Sequence, residues 1–511
     1  DPLRVTLLEP EKAKTNEFFK EFYRIVALGT QGIHAREHTA QVQSEEREQR
    51  EDDFRAAKLP ILFCSPTMEL GVDIAELNVV GLRNVPPTPA NYAQRSGRAG
   101  RSGQPALVFT YCTQGSPHDQ HYFRHPANMV SGAVHPPRID LSNEDLIRSH
   151  MHAVWLTETG QSLGDSLRDL LDVEGDPPSL KLRESVRSFI AKIESKQRAL
   201  ARCQRILATI ETDLQEADWY SDRWLEEVIH QVDTQFDSAC DRWRTLYRAA
   251  LGQAQKQSKI IQAATTPPED RKKAISLRKE AEAQLKLLLM DSRAFQSDFY
   301  SYRYFACEGF LPGYSFPRLP LTAFIPGGRA RGREEFISRP RFLAISEFGP
   351  RAVLYHEGSR YVINRVVLPV ADPDQETPTL SARICGACGY FHADSDGIGK
   401  DQCELCQTAL PPSLPPLLRL ENVSTKRRDH INSDEEERSR MGYDVISSFR
   451  YVERDGKPSY RVAEVRCGAE TILDLQYGHS ATIHRINLGW RRSTHNGQFG
   501  FTLDMERGYW G

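Results

Sequence analysis

The stretch YAQRSGRAGRSGQ, residues 92–104, places three arginines within seven residues on a glycine-rich backbone that carries no acid. Each guanidinium group is planar and can bind an oxyanion through two parallel hydrogen bonds. Glycine lets the backbone approach a neighbouring surface closely, because it has no side chain. The composition therefore predicts a loop that holds fixed positive charge against an anion.

Short apolar segments alternate with helix-like segments around this stretch, over residues 1–115. The apolar segments are VTLLEP, ILFCS, NVVGLRNV and ALVFTYC, and the helix-like ones include FFKEFYRIVAL and EREQREDDFRAA. Such alternation predicts short buried strands in a parallel sheet that is covered by helices on both faces. Ligands of such sheets bind at the carboxyl ends of the strands.

The arginine stretch and the segment before it, SPTMELGVDIAELNVVGLRNVPPTPANY, resemble motifs V and VI of superfamily-two helicases, which are ATP-driven motors with two RecA-like lobes. In that family the second lobe ends with a QRxGRxGR pattern. The positions that match it here are Gln94, Arg95, Gly97, Arg98, Gly100 and Arg101, and those that match the upstream Thr and Gly-x-Asp pattern are Thr67, Gly71 and Asp73.

This resemblance implies a RecA-like second lobe and a role for each matched residue. Arg98 and Arg101 would be arginine fingers, and Gln94 would reach the nucleotide or its attacking water. Gly71, Asp73 and Arg95 would line the nucleotide, with Asp73 on the ribose side, and Thr67 would contact a nucleic-acid phosphate. Guanidinium groups suit this task because hydrolysis of ATP spreads negative charge over the terminal phosphate oxygens.

The chain contains no G-x-x-x-x-G-K-[ST] phosphate loop. The acidic run Asp434–Glu437 mimics a Walker B box, but HINS precedes it where an apolar strand is required. Since the chain also begins at Asp1 without methionine, we expect a fragment whose first lobe would hold most of the ATP and Mg²⁺ contacts. Alone, it is expected to hydrolyse ATP poorly or not at all.

Four of the ten cysteines form a C-x₂-C-x₁₄-C-x₂-C pattern, ICGACGYFHADSDGIGKDQCELC, and the other six stand alone. Two such knuckles can present four thiolates tetrahedrally to one Zn²⁺, and four ligands leave no open position for chemistry. The spacing favours a structural zinc site over a redox dithiol, and it argues against a disulfide framework. The expected ligands are Cys385, Cys388, Cys403 and Cys406.

The remaining chain divides by pattern into a connector at 116–142, a helical arm at 143–298 and a β-rich domain at 299–511 that contains the zinc module 385–406. In the connector, His118, His121 and His125 fit solvated imidazoles better than a zinc site, because they lack closed-site spacing. In the arm, apolar residues follow helical spacing, and Pro267–Pro268 is expected to end one helix and begin another. The arm would either grip DNA or brace the domains.

The β-rich domain is expected to begin with the aromatic segment FYSYRYFACEGFLPGYSFPRLPL and to continue through RFLAISEF. Buried packing explains its aromatic residues better than a stacking platform for bases. Hairpins are expected around Gly358–Ser359 and around an Asp455–Gly456 turn. The run GGRARGR, 327–333, is either a basic loop near phosphates or a solvated loop.

Together, the second lobe, the segment Asn143–His150, the EGFLPGYSFPRLPL stretch and the four-cysteine module resemble a bacterial helicase group with a C-terminal zinc-binding domain of unknown function. This group includes the mitomycin-repair helicase and the helicase of the DISARM phage-defence system. The resemblance implies an ATP-dependent DNA translocase, moving 3′ to 5′, in repair or phage defence. Its partners would be single-stranded or tailed duplex DNA, the first lobe and a protein of such a complex.

The overall composition fits a soluble globular protein of about three domains, with 39% hydrophobic and 26% charged residues. No run of 18 apolar residues or secretion signal occurs, so the expectation is a bacterial cytoplasmic protein without a membrane partner. The net charge of −3 means that nucleic acid would be bound through a local basic track. A non-catalytic adaptor that binds nucleic acid or protein is the alternative function.

Overall fold

The structure is a computed structural model of the 511-residue chain. It describes residues 17–29, 33–39, 42, 44–65, 77–100, 103–133, 141, 143–215, 217, 219–289, 299–314, 318–327, 335–356, 359–368, 379–394, 401–430, 442–454, 456–478, 480–491, 500–505 and 507–510. The chain divides into two compact units, Asp1–Arg138 and Ile139–Gly511, and each is described by itself.

The N-terminal unit alternates helices and short strands. Its elements are α1 Glu17–Gly29, β1 Ala35–His38, α2 Ser44–Arg55, β2 Ile61–Cys64, β3 Val79–Arg83, α3 Pro89–Ser96, β4 Leu107–Tyr111, α4 Pro117–Arg124 and α5 Ala127–Val130. Strands β1 and β2 pair in parallel, and so do β3 and β4. The expected parallel pairing is therefore confirmed for ILFCS, NVVGLRNV and ALVFTYC, whereas VTLLEP lies outside the described residues.

The expectation that these strands are buried is wrong for several side chains. Val79 is 55% exposed, Phe63 66% and Phe109 52%. Among the described residues each of these strands pairs with one neighbour only, so apolar side chains remain in contact with solvent. Helices α4 and α5 lie within the proposed connector, 116–142.

The C-terminal unit begins with helices. They are α6 Glu144–Thr159, a 3-10 helix Leu167–Asp169, α7 Glu184–Ile190, α8 Ile193–Ala208, α9 Glu211–Gln215, α10 Trp224–Ala239, α11 Asp241–Gln262, α12 Pro268–Leu289 and α13 Ser301–Glu308. The second proline of the Pro267–Pro268 pair begins α12, as the sequence predicts, because its fixed φ suits a first helical turn. Helices α11 and α12 form a helical hairpin.

The helices share one hydrophobic core. Trp155, Phe236 and Trp243 are fully buried, and Phe236 stacks on Phe305 with ring centroids 4.8 Å apart. The predicted apolar faces are largely confirmed, but Ile193 is 68% exposed. The expectation of β structure from residue 299 onward is wrong at Ser301–Glu308, where aromatic side chains at helical spacing complete this core.

Strands dominate the rest of the unit. They are β5 Leu321–Ile325, β6 Glu335–Arg339, β7 Val353–His356, β8 Ser359–Val366, β9 Thr379–Leu380, β10 Ala382–Ile384, β11 Phe391–Ala393, β12 Leu417–Leu418, β13 Val423–His430, β14 Tyr443–Tyr451, β15 Glu453–Arg454, β16 Lys457–Pro458, β17 Arg461–Cys467, β18 Glu470–Tyr477 and β19 Ala481–Trp490; helix α14, Arg341–Glu347, interrupts them. A five-stranded sheet has the order β6-β5-β13-β8-β7, and its strands and α14 enclose a second core.

The two hairpin predictions have different outcomes. Strands β7 and β8 pair antiparallel across 357–358, as expected. Around 455–456 only the short strands β15 and β16 pair, while β14 pairs with the distant β19, and β17 pairs with β18. The segment RFLAISEF is helical and not a strand, because its first residues form α14 after Pro340. No helix among the described residues could cross a membrane.

A buried ion pair joins α12 to the five-stranded sheet. Glu280 on α12 binds Arg365 on β8, both side chains are less than a tenth exposed, and the Ser424 hydroxyl donates to Glu280 Oε2 over 3.1 Å. We expect Glu280→Gln to lower the free energy of unfolding by about 3–5 kcal/mol, because it leaves a buried charge without its partner. Urea denaturation followed by circular dichroism measures this loss.

The matched control is Asp270→Asn on the same helix, which breaks the exposed pair with Lys273 and should cost less than about 1 kcal/mol. The double variant Glu280→Leu/Arg365→Met should regain most of the stability. If Glu280→Gln unfolded at the same urea concentration as the unaltered chain, the pair would have no role in joining the helix to the sheet.

Candidate functional site

The arginine stretch forms the end of α3 and the loop that follows it. Thr88 caps the helix by accepting a hydrogen bond from the Asn91 N–H over 3.3 Å, and Pro89 occupies the first turn. Gln94 and Arg95 lie in the last turn, and Arg98 lies two residues beyond the helix end at Ser96. Gln94 is exposed, and Arg95 and Arg98 are half-buried.

Two glycines shape this loop. The Gly97 N–H bonds to the Ala93 carbonyl, and a Cβ on Gly97 would lie 2.7 Å from that oxygen. Gly100 has φ of +72°, and a Cβ there would lie 3.2 Å from Ala106 Cβ. A side chain at either position would displace the backbone, so the turn that presents Arg98 requires these glycines.

Backbone bonds attach the loop to the chain just before β3. Ala99 forms a parallel bridge with Leu77, and the Gly100 N–H donates to the Leu77 carbonyl over 3.0 Å. Leu77 directly follows the segment that carries the expected motif V residues. The loop that carries Arg98 is therefore bonded to the chain at Leu77, whereas Thr67, Gly71, Asp73 and Arg101 lie outside the described residues.

A buried polar cluster that we did not predict joins β1 to α2. His38 is 3% exposed, and its Nε2 lies 2.7 Å from Glu51 Oε1. Arg50 is also buried; it donates to the Glu37 carbonyl over 2.5 Å and pairs with Glu46. A histidine that ends a strand before an acid-rich helix is the only sequence signal for this cluster, and such a signal is weak.

The four thiols of the cysteine pattern come together in the C-terminal unit. Their sulfur atoms all lie within 4.8 Å of one another. Cys385 Sγ lies 3.5 Å from Cys406 Sγ, and Cys388 Sγ lies 3.6 Å from Cys403 Sγ. Tetrahedral Zn²⁺ with Zn–S bonds of about 2.3 Å separates its ligands by roughly 3.8 Å, so the four thiols fit this ion.

The two knuckles repeat one backbone pattern. The N–H of Gly389 bonds to the Cys385 carbonyl, and that of Gln407 bonds to the Cys403 carbonyl, each over 2.9 Å. Both donors have positive φ, 76° and 61° respectively. In each knuckle the first cysteine N–H donates to the carbonyl two residues after the second cysteine. The thiols are therefore held by backbone geometry on both sides.

Side chains around the thiols support this arrangement. Arg450 on β14 donates to the Phe391 carbonyl over 3.0 Å, contacts Glu404 Oε2 at 2.9 Å and lies over the Tyr390 ring. Arg450 thus ties both knuckles to β14. Hydrogen bonds from Thr408 lower the pKa of the Cys406 thiol to about 6, and burial raises the pKa of the Cys388 and Cys403 thiols.

The expected aromatic platform is mainly interior packing. Tyr304 and Phe305 are fully buried, and Phe310 is 4% exposed. Tyr302 and Tyr314 are exposed, at 43% and 72%. The favoured prediction of buried packing is therefore confirmed for the three central rings, although they belong to the helical core. Phe316, most of the run 327–333 and the acidic run 434–437 lie outside the described residues.

Comparison with known families identifies the class of the N-terminal unit. Residues 7–103 match the helicase conserved C-terminal domain. The match includes α3 and the arginine loop. The expected resemblance to the C-terminal part of a superfamily-two helicase, including a RecA-like second lobe, is confirmed.

Particular relatives match over the same part of the chain. The Druantia protein DruE of Escherichia coli (strain UMEA 4076-1) is 43% identical over 101 residues, which are 20% of this chain and 5% of DruE. ATP-dependent helicase hrq1 of Schizosaccharomyces pombe is 33% identical over 107 residues, 21% of this chain and 10% of hrq1. ATP-dependent DNA helicase Q5 of Rattus norvegicus is 32% identical over 86 residues, 17% of this chain and 9% of Q5. The matches thus span a tenth or less of each relative.

Among solved structures, the crystal structure of DUF1998 helicase MrfA bound to DNA aligns with 89% of this chain and 37% of that chain. The TM-score is 0.37 and the sequence identity is 13%. These values are too low to establish a common fold for the two chains. The helicase class therefore rests on the N-terminal unit.

Proposed function

We propose that this chain is the C-terminal portion of an ATP-dependent DNA helicase or translocase. The observation that carries the proposal is the loop 97–100, which lies within the helicase C-terminal domain and holds half-buried Arg98 on a glycine turn bonded to Leu77. In this role Arg98 and Arg101 supply positive charge to a nucleotide bound by a first RecA-like lobe.

In this proposal each residue of the helicase pattern has its own role in ATP hydrolysis. The first lobe holds ATP and Mg²⁺, and the ion neutralises phosphate charge when it is bound. Arg98 and Arg101 stabilise the charge that develops on the transferred phosphate. Gln94 orients the nucleotide or its water, Gly71, Asp73 and Arg95 complete the nucleotide pocket, and Thr67 contacts a DNA phosphate.

The four-cysteine cluster supports a structural zinc role. Four thiols close together would complete the tetrahedral coordination of one Zn²⁺ and leave no ligand position for a substrate. When bound, Zn²⁺ supplies folding energy to a segment with few apolar residues of its own. Cys385, Cys388, Cys403 and Cys406 would hold it as thiolates.

The helicase class also leads us to propose the domain bounds, the substrate and the cellular setting. We assign the lobe to 1–115, the connector to 116–142, the helical arm to 143–298 and the β-rich zinc domain to 299–511, although helix α13 at the start of that last range packs in the core of the arm. The substrate is DNA, single-stranded or duplex with a single-stranded tail, and the direction is 3′ to 5′. The setting is DNA repair or phage defence in the bacterial cytoplasm, with a protein partner from such a complex.

The proposal is tested by DNA-stimulated ATP hydrolysis of a protein that joins this chain to its first lobe. We expect the rate to rise on addition of tailed duplex DNA, since nucleic-acid contacts order the two lobes around the nucleotide. A non-catalytic adaptor is the alternative, and it would bind DNA or protein without any stimulated hydrolysis. Absence of stimulation with bound DNA would therefore decide against the motor.

A further inference from the structure

Tyr314 is an exposed aromatic residue directly after a segment that is anchored in the helical core. It is 72% exposed, whereas Phe310 and Leu311 just before it are buried in that core. A Cβ on Gly313 would lie 2.8 Å from the Ala306 carbonyl oxygen, so the backbone next to Tyr314 lies close against α13. The tyrosine ring is therefore presented to solvent from a backbone whose position is fixed.

Helix α6 holds this tyrosine at its hydroxyl group. His150 Nδ1 lies 3.1 Å from the Leu146 carbonyl oxygen, which can only accept, so Nδ1 carries the proton and Nε2 is an acceptor. The Tyr314 hydroxyl donates to this Nε2 over 2.6 Å, and the two ring planes are 83° apart. Since the bond is at the hydroxyl end of the ring, it orients the tyrosine without covering the faces of its ring.

His150 also lines a groove between α6 and α8. The groove has a volume of about 230 Å³, and its apolar lining residues are Met151, Ala153, Val154 and Ile206. Pockets for drug-sized ligands have volumes of roughly 300–1,000 Å³, so this groove suits a smaller group. The oriented ring of Tyr314 is bonded to a residue that lines this groove.

Arg202 on α8 adds positive charge to the groove. Its Nη1 donates to one Glu158 oxygen over 3.0 Å, and Arg198 Nε donates to the other over 3.1 Å. Because two guanidinium groups share one carboxylate, the three side chains together keep a formal charge of +1. Among the described residues that line the groove there is no Asp or Glu.

An aromatic face, an apolar groove and a guanidinium group match the chemistry of an unpaired base and its phosphate. Every base has flat faces that stack on aromatic side chains, with a contribution of about 1–3 kcal/mol per base. The adjacent phosphate carries the negative charge that a guanidinium group binds. An apolar peptide would fill the groove but would leave the arginine charge unmatched, so the observations favour a nucleic-acid strand.

We propose that Tyr314 and the groove between α6 and α8 bind one unpaired base of a DNA strand. The base stacks on Tyr314 beside the groove, and Arg202 contacts the adjacent phosphate. The inference rests on the proposed function for the choice of DNA, and it adds a contact to the single-stranded tail outside the RecA-like lobe. It gives the helical arm a binding role beyond bracing the domains.

The test uses fluorescence anisotropy of a labelled oligothymidine strand and of a blunt duplex with the 511-residue chain. We expect Tyr314→Ala to bind the single strand on the order of 10-fold more weakly, because one stacking contact is lost. Its binding to the blunt duplex should not change, since paired bases do not offer their faces. Tyr314→Phe should bind the single strand within about twofold of the unaltered chain, because it keeps the ring.

Arg202→Gln gives a separate readout of the phosphate contact. The slope of log affinity against log salt for the single strand should become shallower by roughly 0.7 in this variant. Tyr314→Ala should leave that slope unchanged, because a tyrosine ring carries no charge.

The matched control is Tyr302→Ala, which removes another exposed tyrosine, on α13. It should bind both DNAs as the unaltered chain does, and all four variants should melt at the same temperature as that chain. Unchanged single-strand binding by Tyr314→Ala, or an equal loss in Tyr314→Phe or Tyr302→Ala, would overturn the inference and leave the proposed motor intact. If the unaltered chain bound neither DNA, the inference and the DNA substrate of the proposed function would both fall.

Discussion

Replacing Arg98 with alanine is expected to lower the kcat of DNA-stimulated ATP hydrolysis on the order of 1000-fold in the two-lobe protein. The guanidinium group has its effect when charge develops on the terminal phosphate, so kcat should fall far more than the affinity for ATP. Arg98→Lys should recover only part of the rate, because an ammonium group cannot form the bidentate contact. Steady-state hydrolysis and nucleotide titration measure the two quantities separately.

Arg124→Ala is the matched control for this experiment. Arg124 is an exposed arginine on α4 in the same unit, outside the helicase pattern. Its loss should leave kcat within about twofold of the unaltered protein, since exposed side chains away from a site contribute little. Equal turnover of Arg98→Ala and Arg124→Ala would remove Arg98 from the mechanism.

Loss of the metal is expected to unfold the zinc module. The purified chain should contain about one zinc per molecule, and Cys403→Ser should abolish it, because a buried ligand is removed. The segment around 385–410 should then become sensitive to protease, and the melting temperature of the C-terminal unit should fall. Metal analysis by mass spectrometry and limited proteolysis detect these changes.

The control here is Cys467→Ser, which changes an exposed cysteine on β17 outside the cluster. It should retain the full zinc content and the protease resistance of the unaltered chain. A preparation without metal that resists protease and melts at the same temperature would contradict a structural zinc site. Loss of zinc from both variants would point to a folding defect in place of ligand removal.

Local sequence rules predicted the features that depend on residues close in the chain. The cysteine spacing predicts one cluster because each C-x₂-C knuckle brings its own two thiols together. The segment between the knuckles then only has to bring the two pairs of thiols to one place. Pro268 begins α12 because proline fixes the backbone angle of a first helical turn. Two residues separate β7 from β8 in sequence, so the register of that hairpin is also set locally.

Features that depend on distant partners were not predictable in this way. The aromatic run near Tyr304 is as consistent with a strand as with a helix until its partners are known, and those partners are on α10 and α11. Strand β14 pairs with β19, where Tyr443 packs on Trp490, although two nearer strand pairs, β15 with β16 and β17 with β18, lie between them in sequence. Local patterns contain no information about such pairings.

The candidate site also contains features that local patterns predict and features that depend on distant contacts. The helicase pattern identified the arginine loop, but it did not contain the paired His38 and Glu51, whose contact joins two elements.

The bonds that attach Ala99 and Gly100 to Leu77 join main-chain atoms, so beyond the two glycines that the turn requires they do not depend on side-chain identity. What they do depend on is the number of residues between the two attachment points. An insertion or deletion of one residue between 78 and 98 would have one of two effects. It would distort the strand β3 or the helix α3, or it would rotate Arg98 away from its present direction. Apart from Gly97 and the residues of the helicase pattern, length in this stretch is therefore under tighter constraint than composition, and natural variants should differ here by exchange of residues and seldom by gain or loss of one.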